Sequence, residues 1–170
     1  MLDLHDIIQA ALREDVGFGD VTTEATVAAD ARCRARLLAK QPGVLSGIGV
    51  FRAVFDTLDA RVSDWKSMAD GARFAKGDEI ASFTGATRAV LSGERVALNF
   101  VQRLAGIATQ TAAMVAEVTG LPVRVCDTRK TTPLLRALEK QAVRDGGGTN
   151  HRFALFDGVF DQQIALPQPQ

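Results

Sequence analysis

The chain has 170 residues, of which 46% are hydrophobic, so it is long enough to bury a core in one large or two small domains. Lys plus Arg and Asp plus Glu are equal at 20 each, and this balance argues against nucleic acid and anionic membrane surfaces as partners. Since no uncharged run reaches membrane-spanning length and the first residues lack the pattern of a secretory signal, we expect a cytoplasmic protein.

The first 90 or so residues predict a small α+β domain. Asp3 is a suitable N-cap for an amphipathic helix, because the apolar residues after it recur at helical spacing. From Arg32 to Lys40, small and apolar residues alternate mostly with arginines, which is the pattern of a half-buried strand. A short helix and further short strands are predicted over residues 48–58, 60–66 and 70–85.

Helix-forming residues predominate from Glu94 onward, and Gly120 is a suitable end for the long helix that they predict. Gly106 allows this segment to be divided into two helices. The pattern then changes to that of a different fold class.

A strand, a helix and a second strand are predicted after Gly120. The sequence PVRVCD at residues 122–127 is typical of a short strand, and Thr132 and Pro133 suit the N-cap and first position of a helix that ends at three glycines. The apolar residues 153–160, FALFDGVF, predict the second strand. Since short connections join these elements, a parallel sheet or an α/β barrel is expected to begin near Pro122.

Cations are concentrated between residues 124 and 152, where seven basic residues face three acidic ones. The basic residues are Arg124, Arg129, Lys130, Arg136, Lys140, Arg144 and Arg152. Those at four-residue spacing on the predicted helix favour a solvated stripe of Arg136, Lys140 and Arg144. Arg129 and Lys130 instead follow a strand, within DTRKTTP, where loops of parallel α/β folds build ligand sites. Cations and hydroxyls beside a helix N-terminus suit a ligand with carboxylates or phosphates.

His151 and Arg152 follow three glycines that allow close approach of the backbone. A strand beginning at Phe153 would place both residues at its N-terminal end, on the wrong side of the sheet for a shared site. A role in binding therefore requires a short strand before the pair or a loop that returns it. The alternative is that His151 is an ordinary exposed loop histidine.

Several motifs occur in one order and spacing along the chain. They are EDVGFGDVTT, GVLSG, DGARFAKGDEIASFTGATRAVLSGERVALNFVQRLAGIAT, DTRKTTP, LEKQAV and GGGTNHR. Together they resemble quinolinate phosphoribosyltransferase, also called nicotinate-nucleotide pyrophosphorylase (carboxylating), from Glu14 to about Val159. The resemblance implies a fold with an α+β N-terminal domain followed by the start of an α/β barrel.

The same resemblance implies an activity. The family joins quinolinate, a pyridine with two adjacent carboxylates, to phosphoribosyl pyrophosphate, and it releases pyrophosphate and carbon dioxide to give nicotinate mononucleotide for NAD biosynthesis. By position, Arg129, His151 and Arg152 match residues that hold quinolinate, and Lys130 matches an active-site lysine near the phosphates, which makes it the candidate catalytic residue. Arg95 matches an arginine that enters the neighbouring subunit's site, so a homodimer or a higher oligomer of dimers is implied.

Magnesium is expected to arrive with phosphoribosyl pyrophosphate rather than on a residue identifiable here. The chain's two histidines and two distant cysteines, Cys33 and Cys126, do not favour a metal centre of their own, and we expect the cysteines to be buried and reduced. Neither a nucleic acid nor a membrane is expected as a partner.

The sequence departs from the family pattern at two places. Leu134 stands where the family usually has glycine, which predicts a crowded loop. The family also continues into a strand ending IKDNH, whose lysine would fall at Gln162. Only 49 residues remain from Pro122, whereas an α/β barrel needs roughly 200 or more. We therefore expect an incomplete barrel, truncated or frame-shifted after about residue 159.

The predicted organisation has three parts: residues 1–110 as the α+β domain with a dimer-contacting helix, residues 111–159 as the first βα units, and residues 160–170 as an aberrant tail. Two other functions stay open from the sequence. One is a non-catalytic fragment that keeps the dimer surface. The other is a related phosphoribosyltransferase-like protein associated with molybdate transport.

Overall fold

The computed structural model describes residues 3–59 and 61–157. Within them the chain forms five helices and five strands. In chain order these are α1 (Leu4–Asp15), α2 (Val21–Thr26), β1 (Arg32–Leu38), β2 (Gly43–Val44), α3 (Ile48–Leu58), β3 (Ser63–Ser67), β4 (Arg73–Phe74), β5 (Glu79–Ala86), α4 (Thr87–Glu117) and α5 (Arg136–Asp145).

The N-terminal part is the predicted α+β domain. Three antiparallel strands form a sheet in the order β1-β5-β3, and β2 and β4 form a second, two-stranded sheet. Phe51 and Phe55 of α3 pack on Phe83 of β5, with ring centroids 6.5 and 4.8 Å from it, and Trp65 of β3 lies 5.5 Å from the same ring. An aromatic cluster therefore lies between α3 and the sheet, within a larger apolar core to which α1 and α4 also contribute.

Local sequence signals account for the first elements. Asp3 caps α1 in a capping box with Asp6, which confirms the predicted N-cap. Along β1 exposed and half-buried residues alternate, as predicted, and β1 pairs with β5 from Arg32 opposite Ala86 to Leu38 opposite Glu79. β5 lies between two other strands, so nearly all of its residues are buried.

The long helix differs from its prediction. α4 begins at Thr87 rather than near Glu94, and it runs without a break through Gly106 and past residue 110. A helical glycine costs only about 1 kcal/mol, and buried residues on either side, Leu104 and Ala108, stabilise the helix across it. α4 thus connects the N-terminal domain to the segment that carries the candidate site.

The helix predicted to start at Thr132 and Pro133 starts later. α5 begins at Arg136, because Leu134 takes a left-handed backbone conformation (φ 68°) that cannot continue a helix. The end of this helix is as predicted, with Gly146 as its C-cap.

The predicted strand over residues 153–160 is wrong in its described part, because residues 153–157 form bends. The Asp157 carboxylate accepts hydrogen bonds from the backbone N–H groups of Phe153 and Ala154 at 2.6 and 2.8 Å, which closes a turn. The rest of that segment and the predicted tail lie outside the described residues.

Two other expectations concern the protein as a whole. None of the helices in the described ranges is long and apolar enough to cross a membrane. Both cysteines are free, as expected, but the prediction that both are buried is wrong, because Cys33 is half-buried and Cys126 is exposed.

Candidate functional site

Two short segments run side by side in the same direction at the candidate site. Thr149 donates its N–H to the Val125 carbonyl at 2.9 Å, and Asp127 donates its N–H to the Thr149 carbonyl at 3.1 Å, so that Cys126 and Thr149 form a parallel bridge. The predicted strand over residues 122–127 is reduced to this bridge. Because α5 connects the two parallel segments, the bridge and the helix together form a minimal β-α-β arrangement.

The bridge settles the position of the predicted pair His151 and Arg152. Both residues follow Thr149, just as Arg129 and Lys130 follow Cys126, so all four lie beyond the same ends of two parallel segments. The short extended segment that the binding role required is therefore present. This is the edge at which parallel α/β folds place their ligands.

Asp127 and Lys140 connect these segments to α5. Asp127 Oδ1 accepts from Lys140 Nζ at 2.6 Å and from the His151 backbone N–H at 2.8 Å. Lys140 Nζ also donates to the His151 carbonyl at 3.1 Å. The side chains of Lys140 and Asp127 are only 3% and 7% exposed, so this ion pair is buried.

The predicted solvated stripe on α5 is therefore wrong for two of its three members. Lys140 is buried, and Arg136 is half-buried, where it donates to the Phe153 carbonyl at 3.1 Å and to the Thr131 hydroxyl at 3.1 Å. Only Arg144 is exposed. Four-residue spacing places these cations on one face of α5, and that face packs on the site loops rather than on solvent.

Glu139 fixes the second half of the DTRKTTP loop. Its Oε1 accepts from Arg103 Nε of α4 at 2.9 Å, and its Oε2 accepts from the Thr132 backbone N–H at 3.2 Å. Arg103 also donates to the Thr132 hydroxyl. Burial acts to raise the pKa of the Glu139 carboxyl, but the hydrogen bonds from Arg103 and Thr132 outweigh it and hold the pKa below its usual value.

The four predicted site residues of the loops differ in exposure. Lys130 and His151 are exposed, whereas Arg129 and Arg152 are half-buried. Arg129 Nε is fully enclosed and has no hydrogen-bond partner among the described residues. A buried N–H donor without an acceptor is costly, so the guanidinium is oriented for an acceptor that the described residues do not supply.

Arg95 lies apart from these four residues. It is exposed on α4, and its side chain makes no hydrogen bond or ion pair in the described part of the chain. Its predicted role belongs to a neighbouring subunit's site, which agrees with an outward position on a long helix. The structure therefore brings together four of the five predicted residues and leaves Arg95 separate.

The loop containing Leu134 is strained in its backbone rather than crowded by a side chain. Leu134 has a positive φ of 68°, and its side chain is 70% exposed. For a residue other than glycine this conformation costs roughly 1–2 kcal/mol. The hydrogen bonds that hold Thr132 and Arg136 on either side keep the loop in this shape.

Acidic residues do not gather into a metal site in the part of the chain that is described. No group of three or more His, Cys, Asp or Glu residues lies there in an arrangement that could hold a metal ion. Asp127 and Glu139 are instead paired with cations. These two carboxylates hold the loops in position through hydrogen bonds.

The residues that support the site are the ones that sequence reasoning missed. Asp127, Glu139, Lys140 and Arg103 carry no signal in helical periodicity, because a charged residue on a surface helix is usually solvated. One signal was available, because all four belong to motifs that carry the family resemblance: Asp127 to DTRKTTP, Glu139 and Lys140 to LEKQAV, and Arg103 to the long motif that ends in GIAT.

Comparisons with known proteins agree with the fold and the motifs. The family model described as quinolinate phosphoribosyl transferase, N-terminal domain, matches residues 20–105, and the C-terminal domain of the same family matches residues 107–165. A Bacillus subtilis protein named as a probable nicotinate-nucleotide pyrophosphorylase (carboxylating) is 43% identical over 166 residues, which cover 96% of this chain and 57% of the relative.

Solved structures show the same similarity. NadC from Streptococcus pyogenes is 46% identical with a TM-score of 0.88, over 92% of this chain and 55% of that one. A nicotinate-nucleotide pyrophosphorylase from Ehrlichia chaffeensis is 36% identical with a TM-score of 0.86, over 93% of this chain and 58% of that one. The chain thus spans little more than half the length of these relatives, and it has their α+β N-terminal domain followed by the start of the α/β barrel. The chain belongs to the quinolinate phosphoribosyl transferase family.

Proposed function

We propose that this chain binds quinolinate and serves the transfer of a phosphoribosyl group to it, with decarboxylation, to give nicotinate mononucleotide, pyrophosphate and carbon dioxide for NAD biosynthesis. The observation that carries the proposal is the set of three cations and one histidine at one edge, with the enclosed Arg129 Nε lacking an acceptor among the described residues. Both substrates are polyanions. The names of the matched relatives favour this reaction over a role in molybdate transport.

The cations divide between the two substrates by their chemistry. A planar guanidinium pairs with a carboxylate through two parallel hydrogen bonds, so Arg129 and Arg152 suit the two carboxylates of quinolinate, and His151 lies beside them. Lys130 is exposed at the same edge and offers a point charge to phosphate. We assign Lys130 the catalytic role of stabilising charge on the departing pyrophosphate.

The reaction needs orientation and electrostatic stabilisation more than proton transfer by the protein. The pyridine nitrogen forms a bond to the ribose carbon as the bond to pyrophosphate breaks, through a transition state with oxocarbenium character. The carboxylate next to the new pyridinium then leaves as carbon dioxide, its bonding electrons remain on the ring carbon, and that carbon takes up a proton. The positive ring nitrogen stabilises the carbanion as it develops.

Three further parts belong to the proposal. Magnesium enters bound to the diphosphate of phosphoribosyl pyrophosphate, since the described residues offer no cluster of ligands for it. Arg95, exposed on α4, extends into the site of a second copy, so the functional unit is a homodimer or an oligomer of dimers. The protein acts in the cytoplasm.

Calorimetric titration with quinolinate tests the binding role. Arg129→Ala is expected to abolish the heat of binding, because the remaining cations cannot replace a guanidinium whose enclosed Nε lacks an acceptor among the described residues. Arg124→Ala is the matched control, because Arg124 is exposed before the bridge and is outside the candidate site. Equal affinity of the Arg129 variant and the parent would contradict the assignment.

The alternative of a non-catalytic fragment stays open because the chain spans 57% of the Bacillus subtilis relative. An assay for nicotinate mononucleotide from quinolinate and phosphoribosyl pyrophosphate with magnesium separates the two functions. Product formation supports the enzyme. Quinolinate binding without product supports a chain that binds the substrate but lacks groups needed for the transfer.

A further inference from the structure

We propose that Asp127 and Lys140 are positioning residues, which together set the distance between the Arg129-Lys130 segment and the His151-Arg152 segment. The inference rests on the proposed function, because it concerns the same quinolinate site. Neither residue is expected to touch the substrate.

The buried pair holds His151 by both of its backbone groups. The His151 N–H donates to Asp127 Oδ1 at 2.8 Å, while the His151 carbonyl accepts from Lys140 Nζ at 3.1 Å. The ion-pair contact between Nζ and Oδ1, at 2.6 Å, closes the ring of three hydrogen bonds. His151 therefore cannot shift along its segment without breaking two bonds to charged groups.

Asn150 completes the arrangement. With its amide oriented to satisfy its neighbours, it donates to Asp127 Oδ2 at 3.1 Å and to the Lys140 carbonyl at 3.0 Å. Both carboxylate oxygens of Asp127 are thus bound, and each is bound from the segment that carries His151. The ring of hydrogen bonds thus connects the end of one parallel segment to the end of the other.

Burial indicates that this pair serves placement more than stability. Removing two charges from water costs several kcal/mol per ion, roughly what their attraction regains, so apolar residues of similar volume often stabilise a fold equally well. The side chains here are 3% and 7% exposed. A neutral replacement cannot fix the position of the His151 backbone in the same way. That backbone lies across the bridge from the segment that carries Arg129.

The placement matters because the site has to match a small rigid ligand. The two adjacent carboxylates of quinolinate fix the spacing of the groups that bind them. A displacement of about 1 Å in such a site can cost up to about 100-fold. Asp127 precedes Arg129 by two residues and Lys140 comes from α5, so the pair connects both segments to one rigid element.

The test combines Asp127→Asn with Lys140→Met in one chain, so that no charge is left buried and unpaired. The matched control combines Arg36→Met with Glu79→Gln, which removes an exposed ion pair, 3.6 Å long, between β1 and β5. Three quantities are measured: quinolinate affinity by calorimetry, the free energy of unfolding in urea, and the imidazole NMR signals. His151 and His5 are the only histidines, and His5 is exposed on α1 as an internal reference.

We expect the double variant to bind quinolinate about 10-fold to 100-fold more weakly than the parent, with its His151 signal moved and its His5 signal unmoved. The control is expected to retain parental affinity. Unchanged affinity in the double variant, or lost affinity with an unmoved His151 signal, would overturn the positioning role. If the double variant does not fold, Asp127→Asn combined with Lys140→Leu is measured against the same criteria, since it likewise leaves no charge buried and unpaired.

The design separates this inference from the proposed function. A parent chain that does not bind quinolinate overturns the proposed function. The NMR signals then decide the positioning role by themselves: a moved His151 beside an unmoved His5 supports it, and an unmoved His151 overturns it. The substitution leaves the net charge of the pair at zero, which limits the direct electrostatic effect on the His151 signal.

Discussion

The N-terminal domain and the segment after α4 are stabilised in different ways. The domain buries an apolar core, with Phe51, Phe55 and Phe83 at most 5% exposed. In the later segment, the buried residues of α5 are Glu139, Lys140 and Ala142. Charged side chains are thus buried beside the site loops, whereas apolar side chains are buried where the sheet and helices of the N-terminal domain pack. Among the described residues, buried ion pairs therefore mark the candidate site.

The largest expected effect is the loss of an aromatic ring from the first region. Phe83→Ala is expected to lower the free energy of unfolding by about 3–5 kcal/mol, because it removes a large buried side chain and leaves a cavity. Phe83 is 2% exposed and contacts three other aromatic rings. Urea unfolding followed by the fluorescence of Trp65, the only tryptophan, measures the change.

Phe18→Ala is the matched control, because Phe18 is fully exposed and the same truncation there should change the free energy of unfolding by less than about 0.5 kcal/mol. Equal losses at the two positions would refute burial of the aromatic cluster as a source of stability in this domain.

A smaller effect is expected where a charge pair joins the two regions. Arg103→Met leaves the buried Glu139 with hydrogen bonds from Thr132 alone, and we expect a loss of about 1–3 kcal/mol at neutral pH. The loss is smaller than for a fully buried pair, because the Arg103 side chain is 46% exposed. Urea unfolding of parent and variant measures it. Arg36→Met, in an exposed pair, is the control and should cost less than about 1 kcal/mol.

The pH dependence of that loss has a definite sign. Burial raises the pKa of Glu139, but the bonds from Arg103 and Thr132 lower it more, so the folded pKa lies below the unfolded one. The contribution is therefore present above the unfolded pKa and is lost as the pH falls through the folded pKa. The difference between parent and Arg103→Met should shrink in that acidic range, and a difference independent of pH would show that Glu139 is not the group involved.

The sequence predicts the N-terminal domain better than it predicts the segment after α4. Elements of the N-terminal domain are specified by local signals, such as the Asp3 cap and the alternation from Arg32 onward, and the structure confirms them. Stability there comes from burying apolar residues, which periodicity detects. The misplaced start of α4 concerns a boundary, where the signals are weakest.

Local signals failed in the later segment because distant partners decide its conformation. Thr132 has the chemistry of an N-cap, but its backbone N–H and hydroxyl bond to Glu139 and Arg103 instead. Lys140 has the spacing of a solvated residue, but Asp127 holds it in the interior. The five candidate residues were located by resemblance of motifs, and the supports that place them could be recognised only from the contacts.

A gain in stability is expected at the strained loop. Leu134→Gly should raise the free energy of unfolding by up to about 1 kcal/mol, because glycine adopts a positive φ freely and this relief exceeds its greater loss of entropy on folding. Leu121→Gly is the control, since Leu121 is also exposed, at 59%, but does not have a positive φ. A loss of stability at both positions would show that the Leu134 conformation carries no strain.

The smallest effect is expected at the junction of the two regions, where Asp70 of the N-terminal domain lies near Asp145 of α5. Asp70 Oδ1 accepts from the Ile48 N–H at 3.0 Å, and the Ser46 hydroxyl donates to Asp145 at 2.7 Å. Partial burial of the carboxyl raises the pKa of Asp70, and repulsion from Asp145 adds to this against the opposing hydrogen bond from Ile48. Since the folded pKa exceeds the unfolded one, the contribution of Asp70 is most favourable below the unfolded pKa and is lost as the pH rises through the folded pKa.

Asp70→Asn keeps the acceptor for the Ile48 N–H and removes the charge. At neutral pH we expect the variant to be more stable than the parent by a few tenths of a kcal/mol, a small gain because solvent screens an exposed residue. The gain should vanish as the pH falls through the folded pKa of Asp70, where the parent also becomes neutral. Asp78→Asn is the control, because Asp78 is exposed and likewise accepts a backbone N–H, that of Ala75 at 2.7 Å, within its own turn. If both variants gained equally, burial of the Asp70 carboxyl and its repulsion from Asp145 would not be the cause of the gain.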